Sequence, residues 1–199
     1  MKRTTVALLA VVALLVATGM AGVSAYNGLV ALDQGVSAQW SQVENVYQRR
    51  ADLVPNLVET VKGAANFEKN TMTQVTEARA QVGKVTIGKD VLADPEAFKR
   101  FQQAQDQLSS ALARLLVVSE GYPTLTATQN FRDLQAQLEG TENRITVERQ
   151  RFNETAQAFN TKRNTFPTVL LAGFFGARFN TKAYFQAQSG AQSAPQVKL

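Results

Sequence analysis

The pattern of apolar residues over positions 29–82 predicts one very long amphipathic helix. Apolar side chains recur there in steps of three and four, which places them on one face of an α-helix. Trp40 and Tyr47 lie on this face, so core packing is favoured over an aromatic belt at a membrane surface. Pro55 removes one backbone donor, but the face keeps its phase across it. We therefore expect a bent helix, or two nearly collinear helices, ending near Gly83, rather than a helical hairpin.

Two further helices follow, and their ends carry typical sequences. Residues 94–96 are Asp-Pro-Glu, which predicts an N-cap followed by proline in the first helical turn. This helix should end at the glycine and proline of residues 121–123. Either Thr124 or Thr126 is expected to cap the last helix, which should continue to Phe166. Because the connections are short, the sequence predicts an all-α fold in which long helices form an antiparallel, up-down bundle.

An uncharged apolar stretch, residues 6–25, precedes the long helix. Twenty such residues suffice to cross the roughly 30 Å hydrocarbon core of a bilayer. Lys2 and Arg3 before the stretch and Val-Ser-Ala at its end also fit a cleaved secretory signal. The length of the stretch, and the helical pattern that resumes at Leu29 without a polar break, favour a retained anchor. We expect this anchor to continue into the first bundle helix without a flexible linker. Whether the stretch is a retained anchor or a cleaved signal, Lys2 and Arg3 stay in the cytoplasm and the rest of the chain is exported.

Composition excludes several classes of function. The 199 residues include no Cys and no His, so disulfides, Ser-His triads, the usual zinc sites and Glu-x-x-His di-iron sites are excluded. The net charge is +5, but no Asp or Glu lies before Asp33 or after Glu154. The excess charge therefore belongs to the two ends, and we expect no nucleic-acid partner. No catalytic, cofactor-binding or metal-binding residue is predicted.

Charged residues in the first and last helices are expected to form a polar layer inside the bundle. Residues 137–145 contain few apolar side chains, and Gly140 among them is expected to lie against a close neighbour. The two glutamates of this segment could bind a metal or act as an acid/base pair, and the Arg49–Arg50 pair could bind lipid phosphate. Ion pairing is favoured because nothing in the sequence specifies a pocket. The members of this layer are Glu44, Arg49, Arg50, Glu59, Glu139, Glu142 and Arg144.

The pattern changes again at Thr168, where a short apolar stretch leads into an aromatic cluster and a small, polar end. Eight apolar residues are too few to cross a membrane. They could lie in its interface beside basic residues, or they could pack on the bundle or on another subunit. These alternatives stay open. The candidates for contact with lipid or another subunit are Phe174, Phe175, Arg178, Phe179, Lys182, Tyr184 and Phe185.

Several strings of the sequence resemble the LemA family. They are QWSQVENVYQRRADLVPNLVETVKG, FQQAQDQLSSALARLLVVSEGYP, NFRDLQAQLEGTENRI and FPTVLLAGFFG, which occur in the family's order. The resemblance covers Tyr26 to Val197. It implies one N-terminal membrane helix followed by a bundle with coiled-coil character, with no established catalytic activity or cofactor. A relative in magnetotactic bacteria takes part in making magnetosome membranes, which suggests membrane shaping.

The sequence thus predicts a non-enzymatic structural protein of the bacterial cell membrane, which self-associates and organises or shapes the bilayer. We expect an anchor over residues 1–25, a bundle over 26–166 and a tail over 167–199. The expected partners are the lipid bilayer and further copies of the chain. The alternative is an envelope adaptor or sensor that presents the bundle to a membrane protease or stress-response partner. The basic N-terminus favours an extracytoplasmic bundle, although family descriptions sometimes place it in the cytoplasm.

Overall fold

A computed structural model describes residues 2–63, 68–85, 88–174 and 176–187. Within these ranges the chain contains six α-helices and no strand, so the predicted all-α class is confirmed. Its coiled-coil character stays a prediction. Two single turns of 3-10 helix, Lys89–Leu92 and Ala177–Phe179, lie between helices and after the last one. The α-helices are α1 (Lys2–Lys62), α2 (Lys69–Lys84), α3 (Pro95–Ser119), α4 (Pro123–Thr126), α5 (Gln129–Asn164) and α6 (Thr168–Ala172).

Helix α1 is one unbroken helix of 61 residues, which gives a length of about 90 Å at 1.5 Å per residue. Pro55 lies within it, and the apolar face is buried on both sides of the proline, as Val54 and Val58 show. The side chains from Arg3 to Val23 are exposed, and burial against the rest of the chain begins at Ala25. The prediction that the apolar segment continues into the bundle without a break is therefore confirmed.

The prediction that the long helix continues to Gly83 is wrong. Helix α1 ends at Lys62, and α2 turns back beside it, since Arg79 Nε donates a hydrogen bond to the carbonyl oxygen of Ala51 at 3.4 Å. The apolar face of α2 packs against the end of α1 and against α3. Periodicity could not reveal this hairpin, because a helix that folds back has the same spacing of apolar residues as one that continues. Burial of both faces in one core favours the folded-back arrangement.

Contacts between α1, α3 and α5 define an up-down-up-down bundle. Trp40 of α1 contacts Phe98 near the start of α3, and Arg50, further along α1, contacts Gln105. Helices α1 and α3 therefore run parallel, with α2 antiparallel to both. Helix α5 is antiparallel to α1, because its partners fall from residue 148 to residue 142 as those on α1 rise from residue 39 to residue 50. The predicted antiparallel bundle is confirmed.

The predicted ends of α3 are confirmed, whereas the cap of α5 differs. The Asp94 carboxylate accepts a hydrogen bond from the backbone N–H two residues on, at 2.9 Å, which satisfies one free donor of the first turn. Thr128 Oγ1 caps α5 by accepting from the N–H three residues on, at 3.4 Å. The predicted caps, Thr124 and Thr126, lie instead in the short helix α4, because Pro123 starts an extra turn before α5.

Two apolar clusters form the core, one on each side of the bundle's midpoint. The proximal cluster lies nearer the N-terminal apolar segment and is largely aromatic, and its largest members are Trp40, Tyr47, Phe98, Phe101, Phe152, Phe159, Phe179 and Phe185. The distal cluster is mainly aliphatic and includes α2; its members include Val54, Leu57, Val75, Leu108, Leu115, Phe131 and Leu138. The proximal half lacks α2, so other parts of the chain cover its core.

Candidate functional site

A layer of polar side chains separates the two core clusters. Arg50 is fully buried, and it donates to Glu142 Oε1 at 2.9 Å, to Ser109 Oγ at 2.6 Å and to the carbonyl oxygen of Gln105 at 3.2 Å. It also donates to the side-chain oxygen of Gln105. Its Cζ lies 5.0 Å from the ring centroid of Tyr47, within the range of a cation–π contact. These bonds join α1, α3 and α5 at one level of the bundle.

A second polar group lies one helical turn nearer the N-terminal segment. Arg149 Nε donates to the Tyr47 hydroxyl at 2.5 Å, and Arg149 Nη2 donates to Asp106 Oδ1 at 2.8 Å. Burial raises the pKa of the Tyr47 phenol above its ordinary 10.0, although the neighbouring guanidiniums act in the opposite direction. The sequence prediction missed Arg149 and Asp106. A usable sign was present, because Arg149 lies on the buried face of α5 between Ile145 and Phe152.

The structure brings together only two of the seven residues predicted for the polar layer, Arg50 and Glu142. Adjacent residues on a helix point about 100° apart, so Arg49 cannot share the buried position of its neighbour. The three remaining glutamates bond to residues of their own helix. Glu44 accepts a hydrogen bond from Trp40 Nε1 at 2.8 Å, Glu59 forms an ion pair with Lys62 at 2.6 Å, and Glu139 accepts from Gln135 at 3.0 Å. Arg49 and Arg144 lie at the surface.

The close neighbour expected at Gly140 is absent. This glycine is exposed, and a Cβ added to it would have no neighbouring atom within 4 Å. Thr141 and Glu142 face the bundle in its place. In the described part of the chain, no group of three or more Asp or Glu side chains could hold a metal ion. The chemistry that the layer offers is ion pairing between helices, because the Glu142 carboxylate is held by Arg50.

The tail lies on the proximal half of the bundle as an extended strap, residues 181–187. It crosses between α5 and α3, where three amide side chains each bond in both directions to the backbone of one strap residue, at 2.8–3.2 Å. Such pairing satisfies backbone groups that have no strand partner. The three pairs are Asn160 with Lys182, Asn153 with Phe185, and Gln102 with Gln186.

Asp33 holds the start of the tail against α1. Its two carboxylate oxygens accept from Arg178 Nε and Lys182 Nζ, each at 2.9 Å. The Lys182 ammonium also lies 4.9 Å from the ring centroid of Phe159 and donates to the carbonyl oxygen of Arg178 at 3.2 Å. The first acidic residue of the chain thus pairs with two basic residues of the tail.

Two of the four described aromatic residues of the tail, Phe179 and Phe185, are buried in the bundle. Phe185 is 7% exposed and packs against both Trp40 and Phe98. Phe179 is buried, and the Tyr184 ring lies at the surface with its hydroxyl bonded to α5. Three of the tail candidates, Phe179, Lys182 and Phe185, are thus buried by contacts within the chain. Arg178 and Tyr184 are partly exposed, and Phe174 is 87% exposed. Phe175 lies outside the described residues.

The first part of α1 has the character of a membrane span. It is long and apolar enough, by length and composition, to cross a bilayer, and none of it is buried against the rest of the chain. A signal sequence has the same properties. The bundle that follows therefore begins at the end of an apolar, unpartnered helical segment.

The sequence model of the LemA family matches residues 39–199, which include the tail and all of the bundle except the first part of α1. The chain belongs to the LemA family. The predicted resemblance is confirmed, and the matched region begins 14 residues after the apolar segment ends at residue 25.

Curated relatives of this LemA-family chain include magnetosome proteins. It is 28% identical to magnetosome protein MamQ 2 of Paramagnetospirillum magneticum over 178 residues, or 81% of the chain and 64% of that protein. It is also 28% identical to MamQ of Magnetospirillum gryphiswaldense over 177 residues, which are 80% of the chain and 64% of that protein. It is 24% identical to the LemA protein of Metamycoplasma hominis over 132 residues, which are 66% of the chain and 56% of that protein. The chain thus spans less than two thirds of each relative. The apolar helix and these relatives fit a membrane protein.

Proposed function

We propose that this chain is a membrane-anchored, non-enzymatic structural protein that self-associates and organises or shapes the bilayer holding it. The observation that carries the proposal is the continuity of α1 from its exposed apolar segment into the bundle. A continuous helix has no hinge, so the orientation of the bundle sets the tilt of the anchor. Copies that associate through their bundles would therefore impose a common tilt on their anchors and bend or flatten the bilayer.

The contacts around the start of the bundle support this rigid coupling. Asp33 follows the end of the apolar segment by eight residues, a rise of about 12 Å, and already binds two tail residues. The magnetosome relatives support a role at a membrane. Lys2 and Arg3 precede the span, so we place the N-terminus in the cytoplasm and the bundle on the other side.

Rigid coupling can be measured with spin labels at Ala21 and Ala38, which are both exposed and lie on the two sides of the predicted membrane boundary. Their separation of 17 residues corresponds to about 25 Å along a helix. In full-length protein reconstituted in lipid vesicles we expect a narrow distance distribution at this value. The matched control is Ala31 with Gln48, an exposed pair at the same separation within the bundle. A distribution much broader than the control would show a hinge and refute the proposed mechanism.

Membrane shaping can be tested by uncoupling the anchor from the bundle. We would insert three glycines after Val23, an exposed position before the first buried residue. Vesicles with the unaltered protein should show a protein-dependent change of curvature in electron cryomicroscopy, and vesicles with the insertion should lose it while retaining the protein. Unchanged shaping by the insertion variant would contradict the proposal. Deleting the tail is a poor test, because Phe185 belongs to the core.

Self-association can be tested by chemical cross-linking in cells followed by mass spectrometry. Links between copies of the chain support a structural scaffold. A reproducible foreign partner in place of such links would favour the alternative, an adaptor or sensor that presents the bundle to another envelope protein.

A further inference from the structure

An apolar surface at the proximal end of the bundle has no partner within the described part of the chain. We call it the α6 patch; it consists of Phe166, Val169, Leu170 and Phe174. Val169 and Leu170 lie in α6, and Phe166 and Phe174 lie in the turns before and after it, four positions on either side of Leu170. Phe166 is 78% exposed and Phe174 is 87% exposed. The opposite side of α6 is buried through Thr168 and Ala172. Helix α6 is thus fixed to the bundle by one side and presents its apolar side outwards.

The antiparallel register places the α6 patch beside the end of the apolar segment of α1. A Cβ added at Gly28 would lie 3.4 Å from Lys162 Cε, so these two residues are level. Helix α5 ends two residues later at Asn164, about 3 Å nearer the anchor at 1.5 Å per residue. The chain returns to the same level at Phe179, whose ring centroid lies 5.7 Å from that of Tyr26. Helix α6 lies between these two points along the chain, and it contacts both α1 and α5.

The charges around the patch are suited to phospholipid headgroups. The chain contains no Asp or Glu after Glu154, so the segment from Lys162 to Lys182 is purely basic. Lys162 is exposed, and Arg178 is partly exposed. Among the described residues, Asp33 is the only acidic group that bonds to this segment, and its charge is already neutralised by Arg178 and Lys182. Apolar side chains beside exposed cations are typical of segments that lie in a membrane interface.

From these observations we infer that the α6 patch inserts into the interface of the bilayer that holds the start of α1, and so forms a second membrane contact. The inference rests on the proposed membrane anchor. A tethered bilayer is always present at high effective concentration beside the patch, whereas a second copy would first have to approach at the same level. Two contacts at different points of one rigid body fix its rotation as well as its tilt.

The experiment measures quenching of tryptophan fluorescence by lipids with brominated acyl chains. Phe174→Trp places the fluorophore in the patch of the full-length protein. Val117→Trp is the matched control, since Val117 is an apolar residue 66% exposed near the distal end of α3. The single native tryptophan, Trp40, is fully buried, and the unaltered protein supplies its background signal. All three proteins are reconstituted in vesicles of phosphatidylcholine and phosphatidylglycerol, with and without brominated chains.

We expect brominated lipids to remove most of the added emission of Phe174→Trp and none of that of Val117→Trp. Leu170→Trp, on the same face, should be quenched as well, and it serves if the Phe174 variant does not fold. If the emission of the added tryptophan is shifted to the blue but not quenched, the patch is covered by a second copy of the chain. If its emission is that of a tryptophan exposed to water, the patch lies in solvent. Either result overturns the inference. Flotation of the vesicles separates this failure from failure of the anchor, because a protein without an anchor would not float with the lipid.

Discussion

The strap makes a strong prediction about stability, because it places a tail residue in the centre of the proximal cluster. Phe185→Ala removes a ring whose centroid lies 4.8 Å from that of Phe98 and 5.5 Å from that of Phe152. Burial of a phenylalanine contributes about 1.5–3 kcal/mol, and the cavity left behind adds to the loss, so substitutions of this kind cost about 3–5 kcal/mol. The matched control is Phe174→Ala, which removes the same side chain from an exposed position and should change stability by less than about 0.5 kcal/mol.

The assay is denaturant unfolding of the full-length protein in mild detergent, followed by far-ultraviolet circular dichroism. We expect a lower midpoint for Phe185→Ala with an unchanged slope, since the substitution alters stability rather than the surface exposed on unfolding. A third variant, Asn153→Ala, removes the two hydrogen bonds that hold the backbone of Phe185, and should cost about 1–3 kcal/mol. If Phe185→Ala were no more destabilising than Phe174→Ala, the strap would not belong to the core, and the account of the tail would be refuted.

Three further predictions concern the bundle, each measured by the same unfolding assay. Glu142→Ala should lower the free energy of unfolding by about 2–3 kcal/mol, because it leaves the guanidinium of Arg50 buried without its carboxylate. Arg50→Met should lower it by less, because the Glu142 side chain that remains is 36% exposed. Equal losses in the two variants would contradict this prediction. Gly140→Ala should stabilise by about 0.4–1 kcal/mol, whereas Gly176→Ala should destabilise because its φ is +84°. The raised pKa of Tyr47 means that its contribution is complete below pH 10.0 and is lost as the pH rises through the folded-state value. The loss of stability as the pH rises above 10.0 should thus be smaller in Tyr47→Phe.

Local patterns predicted the helices well and their arrangement only in part. The Asp94 cap and the buried face of α5 follow from interactions within a few residues, so the sequence alone determines them. The turn after Lys62 depends on which surface α2 finally covers, and this information lies in Leu108 and other residues of α3. The same limit explains Gly140, since a glycine in a polar stretch indicates weak helical preference without showing whether anything packs against it.

The candidate sites show the same division. Arg50 and Glu142 were both among the residues predicted for the polar layer, yet their pairing across 92 positions requires the antiparallel register of α1 and α5. The fastening of the tail was not predicted, because amide side chains such as Asn153 and Asn160 on a polar helical surface look the same whether they bond to water or to a strap. Aromatic residues in the tail indicated burial or contact with a partner, and only the structure shows that Phe179 and Phe185 are buried while Phe174 is exposed.

The position of the strap bears on how a force could pass between bundle and anchor. The proximal half lacks α2, so without the strap α1, α3 and α5 would leave the aromatic cluster open between α3 and α5. The strap closes this side, and Asp33 ties its beginning to α1 just beyond the apolar segment. The stability of a helix in a protein comes mainly from packing of its apolar face rather than from the helix alone. The aromatic cluster therefore lies next to the apolar segment, where the proposed lever that sets the tilt of α1 requires it, and weakening the strap should loosen this end of the bundle before it unfolds the distal half.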